Sequence, residues 1–253
     1  MDVKKILKAI LPRCPSLYRF VLHALGKQNS EKMAYLRLLK NGNTVFDVGA
    51  NRGDFTVLFS NIVGPTGSVH AFEPVPSTFA GLDNRIKAEC RFQNVAISNN
   101  AVGDTPGVVQ IQVPAGDSGQ ASLKNHTIAS WSRPEREVFD CSVVTLDSYV
   151  AEHKIDRVDL IKVDVEGAEL WVFRGARQTM DRFRPIIHAE CLPSWTGSFD
   201  YTPVDLVSFL RNQGYVYFYS GRLRPLHCPE TEIGTSEENQ NFVCSVQPLL
   251  HVN

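Results

Sequence analysis

Apolar residues in the middle of this chain fall into two alternating arrangements. Apolar-rich stretches of strand length occupy 44–48, 68–73, 91–97, 157–164 and 185–191. Between them lie segments whose apolar residues recur every three to four positions: 53–62, 77–87, 147–152 and 168–180. The first kind predicts strands buried on both faces, and the second predicts amphipathic helices. Strands alternating with helices predict an α/β fold with a doubly wound, mostly parallel sheet. The rhythm breaks between about 105 and 145. There 107–114 and 137–144 read as an antiparallel pair of strands, separated by a polar, irregular stretch over 115–136. A loop of that length inside a compact domain is more often functional than idle. Beyond 200 the pattern gives a helix at 203–213, a strand at 215–219, a polar loop at 228–240 and a last strand at 242–246. Two short amphipathic helices are expected before the first strand. Val3, Ile6, Leu7, Ile10 and Leu11 form one apolar stripe, and Leu17, Phe20, Val21, Ala24 and Leu25 form the other. The domain division that follows is an arm over 1–40 and one domain over 41–253.

The chemistry concentrates where the strands end. Thr44–Val48 runs into Gly49-Ala50-Asn51-Arg52-Gly53, after which a helix begins. Gly49 allows a sharp turn, and Gly53 lets the helix start close against the strand. The pattern Asp47-x-Gly-x-Asn-x-Gly differs from the Gly-x-Gly-x-x-Gly that holds a pyrophosphate. An acid at that strand end suits a cationic group, such as the α-ammonium of a methionine moiety, better than phosphates. The second strand ends in Glu73-Pro74, 26 positions after Asp47, near the ~20-residue offset at which a carboxylate grips a ribose diol. Either acid alone would pass for a turn residue; the pair together with both glycines points to a nucleoside site. A third acid, Asp164, closes the strand Val158–Val163. Glu166 and Glu169 follow it at helix-start spacing, where an acid also offsets the helix dipole.

Taken in order, Asp47–Gly53, Phe72-Glu73-Pro74, Asn100-Ala101-Val102-Gly103-Asp104, Val144–Asp147 and Ile161–Glu169 resemble the FkbM-type methyltransferases over about residues 42–192, most specifically at 161–169. The resemblance implies the class I methyltransferase fold, with seven strands and a reversed last strand. It implies S-adenosylmethionine as cofactor and methyl transfer, most often to an oxygen of a sugar, polyketide or other small molecule. Asp47, Gly49, Ala50, Asn51, Gly53, Glu73, Asn100 and Asp164 are the expected cofactor contacts, with Asn100 reading the adenine.

A hydroxyl acceptor is a poor nucleophile at neutral pH, so a general base or a metal is expected. Asp164 and Glu190 are the candidate bases. His188 is a third, although a core histidine is the more frequent occupant of such a position. Some class I O-methyltransferases bind Mg²⁺ through acids at these two strand ends. Here the acid-Asn pair is missing, since Cys191 follows Glu190, and no metal is expected; if one were needed, Asp164 and Glu190 would hold it. Trp131, Trp195, Phe199 and His126 could line an acceptor pocket, though packing or solvation is commoner for such residues.

Charge and cysteine use narrow the class. Formal net charge is −1, so no nucleic-acid footprint is expected. Residues 1–40 nevertheless hold nine basic side chains against Asp2 and Glu31, leaving 17 basic and 25 acidic for the rest. The basic amphipathic arm suits peripheral contact with an anionic membrane or a partner; a cap over the catalytic domain is the favoured reading. Six scattered cysteines form no metal spacing and predict a reducing, cytoplasmic setting. No apolar run is long enough to predict a membrane span. Two other functions fit the pattern less well. A nucleotide-dependent oxidoreductase would want the third glycine, and a catalytically silent binding module would not need the full acid set.

Overall fold

The computed structural model describes residues 15–26, 31–114, 121–124, 135–236 and 239–249. Its strands are β1 Thr44–Val48, β2 Ser68–Phe72, β3 Val95–Ser98, β4 Ala101–Val102 and β5 Gly107–Pro114, followed by β6 Arg136–Val144, β7 Leu160–Val163, β8 Ile186–Glu190, β9 Tyr217–Ser220 and β10 Asn241–Ser245. Among the described residues, seven of these form one sheet in the order β3-β2-β1-β7-β8-β10-β9. The pairings from β3 through β8 are parallel, and β10 runs antiparallel to both β8 and β9. This is the doubly wound sheet expected from the sequence, with the last strand reversed.

Why the central strands read as largely apolar runs is plain from their burial: every residue of β1 and β7 is buried, Asp47 and Lys162 included. One face carries Phe46, Ile161 and Ile187 against Leu146, Phe173, Met180 and Leu206 of the helices after β6, β7 and β8. The other face carries Val45 and Leu160 against Tyr35, Leu58 and Phe59. Burying each such large apolar side chain contributes about 1.5–3 kcal/mol relative to exposure.

The insertion forms a separate small sheet, β4-β6-β5, in which β5 and β6 pair antiparallel from Gly107↔Val143 to Pro114↔Arg136. Ile111, Val113, Cys141 and Val143 turn inward onto Val75 and Ala101, which seats the hairpin beside the ends of β2 and β3. Of the polar stretch 115–136, only Ala121–Lys124 and residues 135–136 are described; His126 and Trp131 lie outside the described residues.

Three expectations need correction. The helix predicted over 168–180 is two helices, Glu169–Arg174 and Arg177–Phe183. The break is at Gly175, where a Cβ would stand 2.0 Å from the Gly103 carbonyl oxygen. The loop 228–240 contains a short helix, Pro229–Glu232, opened by proline at its first turn and tied through Glu230 to Arg211 at 2.6 Å. In the arm, helix Pro15–Ala24 buries Tyr18 and Leu22, not the stripe of Leu17, Phe20 and Leu25, which faces outward. That helix is apolar around much of its circumference, so periodicity alone could not choose the face. The first predicted arm helix lies outside the described residues. Among the described residues no helix is long and apolar enough to cross a membrane.

Candidate functional site

The C-terminal ends of β1, β2 and β7 open onto a cleft of about 750 Å³. Ligands bind there in parallel sheets because the connections leaving neighbouring strands β1 and β7 turn to opposite faces of the sheet and leave a crevice between them. The floor is Gly49, whose φ of +80° only glycine adopts without strain. A Cβ at Gly49 would stand 1.8 Å from the Asp164 carbonyl oxygen, so the β1 and β7 ends meet backbone to backbone. The wall facing the insertion is apolar, from Val102, Ile111 and Leu123. The polar side is Asn51, Glu73, Asn100, Asp164 and Glu166. No lysine or arginine is among the described residues lining this cleft.

Glu73 is fixed by the backbone on both oxygens. The Asn51 amide donates to Oε2 and the Val75 amide to Oε1, each at 2.9 Å. Only 6% of the residue is exposed. Burial pushes its carboxyl up to about 7, against the pull of those two amides. Asn51 itself sits at φ 47°, and its side-chain Oδ1 is buried with no partner. The Asn99 amide donates to the carbonyls of Glu73 and Pro74 at 2.8 and 3.0 Å and so braces this strand end. Asn100, the expected adenine contact, lines the cleft and donates to Ser98 Oγ at 2.8 Å.

Asp47 has a different place from the one expected. It is fully buried and does not line the cleft. Thr56 Oγ1 donates to its Oδ2 at 2.6 Å, and Lys162 Nζ lies 3.6 Å from Oδ1. Asp47, Lys162 and His188 are register partners across β1, β7 and β8, so their side chains share one face of the sheet. Burial alone would depress the Lys162 ammonium, but Asp164 and Asp47 outweigh it and hold it above its ordinary range. Lys162 Nζ donates to Asp164 Oδ2 at 3.1 Å and lies over the Phe55 ring at 5.2 Å. Ala50 and Gly53 also stay out of the cleft wall. They shape the turn, with the Ala50 amide donating to Phe72 and the Gly53 amide to Ala50.

His188 is 1% exposed. Its Nδ1 is 2.9 Å from the Tyr35 hydroxyl and its Nε2 is 3.5 Å from Glu31. Burial, then the Lys162 charge, pulls it down to about 3. It is a neutral, buried ring behind the site and does not reach the cleft. Glu190, two residues on, stands beside the opening: oxygens of Asp164, Glu166 and Glu190 lie within 4.8 Å of one another. Burial, followed by the Asp164 and Glu169 carboxylates, raises Glu190 to about 8. The structure thus brings together the two acids expected of an acceptor or cation site and adds Glu166.

Glu169 does more than face a helix dipole. Its Oε1 accepts from the Val165 and Gly167 amides, each at 3.2 Å, and its Oε2 from the Tyr201 hydroxyl at 2.9 Å. It thereby clasps the loop that carries Asp164 and Glu166. Trp195 and Phe199 are buried, with Phe199 packed on Trp171 and against Gly167, so they support this loop from behind. Sequence reasoning missed Lys162, Thr56, Glu31 and Tyr35. Lys162 alone carried a signal, as a lysine inside an otherwise apolar central strand.

Residues 47–217 match the Methyltransferase FkbM domain family. The chain is 30% identical over 171 residues, 59% of its length and 65% of the relative's, to the 31-O-demethyl-FK506 methyltransferase FkbM of Streptomyces tacrolimicus. It is 29% identical over 144 residues, 52% of its length and 57% of the relative's, to Methyltransferase 1 of Beauveria bassiana (strain ARSEF 2860). It therefore spans less than two thirds of the length of these curated relatives. Methyltransferase FkbM from Methylobacillus flagellatus KT aligns in structure with 15% identity, a TM-score of 0.49, and coverage of 81% of this chain and 43% of that one. The family match takes in more than half of the chain, including the ends of β1, β2 and β7 that build the cleft, and on that ground the chain belongs to the FkbM methyltransferase family.

Proposed function

We propose that this chain is an S-adenosylmethionine-dependent methyltransferase acting on a hydroxyl oxygen of a small molecule or sugar. The observation that carries the reading is a cleft with acids at its strand ends and no cation in its described lining. A pyrophosphate would sit there without a charge partner, whereas a cofactor bearing an ammonium, a sulfonium and a ribose diol suits those acids. Glu73 presents a carboxylate already braced by Asn51 and Val75, so the lone pairs left over suit two ribose hydroxyls. The unpartnered Asn51 Oδ1 is an acceptor for an N–H or O–H donor. The apolar wall of Val102, Ile111 and Leu123 suits an adenine ring. Asp47 acts indirectly, by holding Lys162 and through it Asp164.

When bound, S-adenosylmethionine supplies an already activated methyl group, so the chain needs no nucleophile of its own. What remains for the residues is alignment and removal of one proton. Glu190 is the preferred base. Its carboxyl is raised to about 8 by burial and its acidic neighbours, close to the working range of a general base, while Asp164 is engaged by Lys162. The acceptor hydroxyl would donate to Glu190, with Asp164 and Glu166 orienting neighbouring hydroxyls. The name of the Streptomyces tacrolimicus relative, a methyltransferase of a 31-O-demethyl compound, also supports an oxygen acceptor.

The test is methyl transfer from labelled S-adenosylmethionine to a panel of hydroxylated sugars and polyketide alcohols, with Mg²⁺ and with chelator. Glu190→Gln should lower turnover by about 100-fold or more while leaving cofactor affinity intact. Asp164→Asn should weaken both. Equal losses of turnover and affinity in Glu190→Gln would move Glu190 out of the base role.

A further inference from the structure

Of the eight large apolar side chains that stand exposed among the described residues, three fall within nine positions of one another at helix Pro15–Ala24. The other five are valines and a tyrosine spread over β5, β6, a later helix and the start of β9. Leu17 (46% exposed) and Phe20 (68%) lie on the outward side of helix Pro15–Ala24, away from the buried Tyr18 and Leu22, and Leu25 (45%) is exposed just past its end. Leu17, Phe20 and the exposed Ala24 follow the i, i+3, i+7 spacing of one helix side, and Leu25 extends that apolar surface beyond the last turn. A shallow groove beside it, between this helix and Glu31–Leu38, is lined by Arg19, Phe20, His23 and Arg37. Lys32 and Lys40 are exposed on the same segment. The acid of this segment, Glu31, is turned toward His188 at 3.5 Å.

The charge is polarised along the sequence. Residues 1–40 carry nine basic and two acidic side chains, while 41–253 carry 17 basic and 25 acidic. Ahead of the helix the sequence repeats the pairing of apolar stripe and cations, with Val3, Ile6, Leu7 and Ile10 interleaved with Lys4, Lys5 and Lys8. An exposed apolar stripe flanked by cations, on a body of opposite sign, is the chemistry that a negatively charged lipid surface recognises. Apolar side chains enter the headgroup boundary, guanidinium groups meet lipid phosphates, and the acidic body is held off the surface.

We propose that the outward face of helix Pro15–Ala24 docks this protein on an anionic phospholipid membrane. Leu17, Phe20 and Leu25 enter the interface, and Arg19 and Arg37 bind headgroup phosphates. This docking is a separate event from cofactor binding in the cleft.

The experiment is flotation of the full chain with vesicles of phosphatidylcholine containing phosphatidylglycerol, against phosphatidylcholine alone, at low and high salt. The wild type should float with the anionic vesicles and be released by salt. Leu17→Ser/Phe20→Ser/Leu25→Ser and Arg19→Glu/Arg37→Glu should each lose about tenfold or more in binding. All five positions are exposed, so both variants should keep the wild-type melting temperature and cofactor titration. Absence of wild-type flotation, or binding by both variants equal to that of the wild type, overturns the proposal. Two further outcomes also overturn it. Competition by inorganic phosphate at low concentration would make the groove a free-anion site. A wild-type dimer that the triple serine variant dissociates would assign the stripe to a second copy of the chain.

Discussion

Lys162 holds the site together from beneath. Its ammonium is buried between Asp47 and Asp164, at 3.6 and 3.1 Å, and each partner depends on it differently. Asp47 is fully buried and would be left an uncompensated charge without it. Lys162→Met should therefore destabilise the fold by about 3–5 kcal/mol. The double variant Asp47→Asn/Lys162→Met should regain much of that loss, because it removes the stranded charge. Urea unfolding at neutral pH measures both, and a single variant as stable as wild type would contradict the pairing. The sequence made Glu73, Gly49 and Asp164 legible because strand ends and glycines are local signals. It could not reveal that Asp47 turns to Lys162, 115 positions later, since that follows from strand register. His188 was ambiguous for the same reason: only the packing of Tyr35 and Glu31 against its two nitrogens shows that it faces away from the cleft.

At the level of elements, the insertion forms the cleft's apolar wall through Ile111 and Leu123, and Gly175 packs against Gly103, next to Val102 of the same wall. Asp147, just inside the helix Leu146–Glu152, reaches across to the next helical pair. It accepts from the Gln178 and Thr179 amides at 3.0 and 2.7 Å and from Thr179 Oγ1 at 2.7 Å. It therefore supplies the capping oxygen that helix Arg177–Phe183 lacks from its own N-cap residue, Ala176. Asp147→Ala should cost about 1–2 kcal/mol and lower the melting temperature, with cofactor affinity unchanged. A neutral result would mean that the helix start is satisfied without it. The central strands and helices were readable from periodicity, but helices Glu31–Leu38 and Pro229–Glu232 were not. The split of 168–180 was not, because the close approach of Gly175 to Gly103 joins segments that are neighbours only in space. The outward face of helix Pro15–Ala24 escaped periodicity for a related reason: both of its faces carry apolar residues, and the packing partners Met33, Tyr35 and Leu36 decide between them.

Across the whole molecule, the site stores acids in raised, partly protonated form. Glu73 and Glu169 lie near 7 and Glu190 near 8, each raised first by burial. A carboxyl raised on folding contributes stability that is fully present below its unfolded value and lost as pH climbs through its folded value. The protein without cofactor should therefore be most stable on the acid side and lose stability between about pH 4.5 and 8, by up to ~1.4 kcal/mol per pH unit for each proton released. Melting temperatures across that range test this, and Glu73→Gln with Glu190→Gln should flatten the slope. A cofactor whose ribose donates to Glu73 needs the ionised form, so its affinity should rise with pH through about 7.

That coupling makes calorimetric titration with S-adenosylmethionine, on wild type and Glu73→Ala, the most direct test of the cleft as a methyl-donor site. The account predicts micromolar binding that weakens below pH 7, and a loss of about 1–3 kcal/mol in the variant from the missing charge-assisted hydrogen bond. A folded sample that gives no binding heat, or a variant that titrates like wild type, would contradict it.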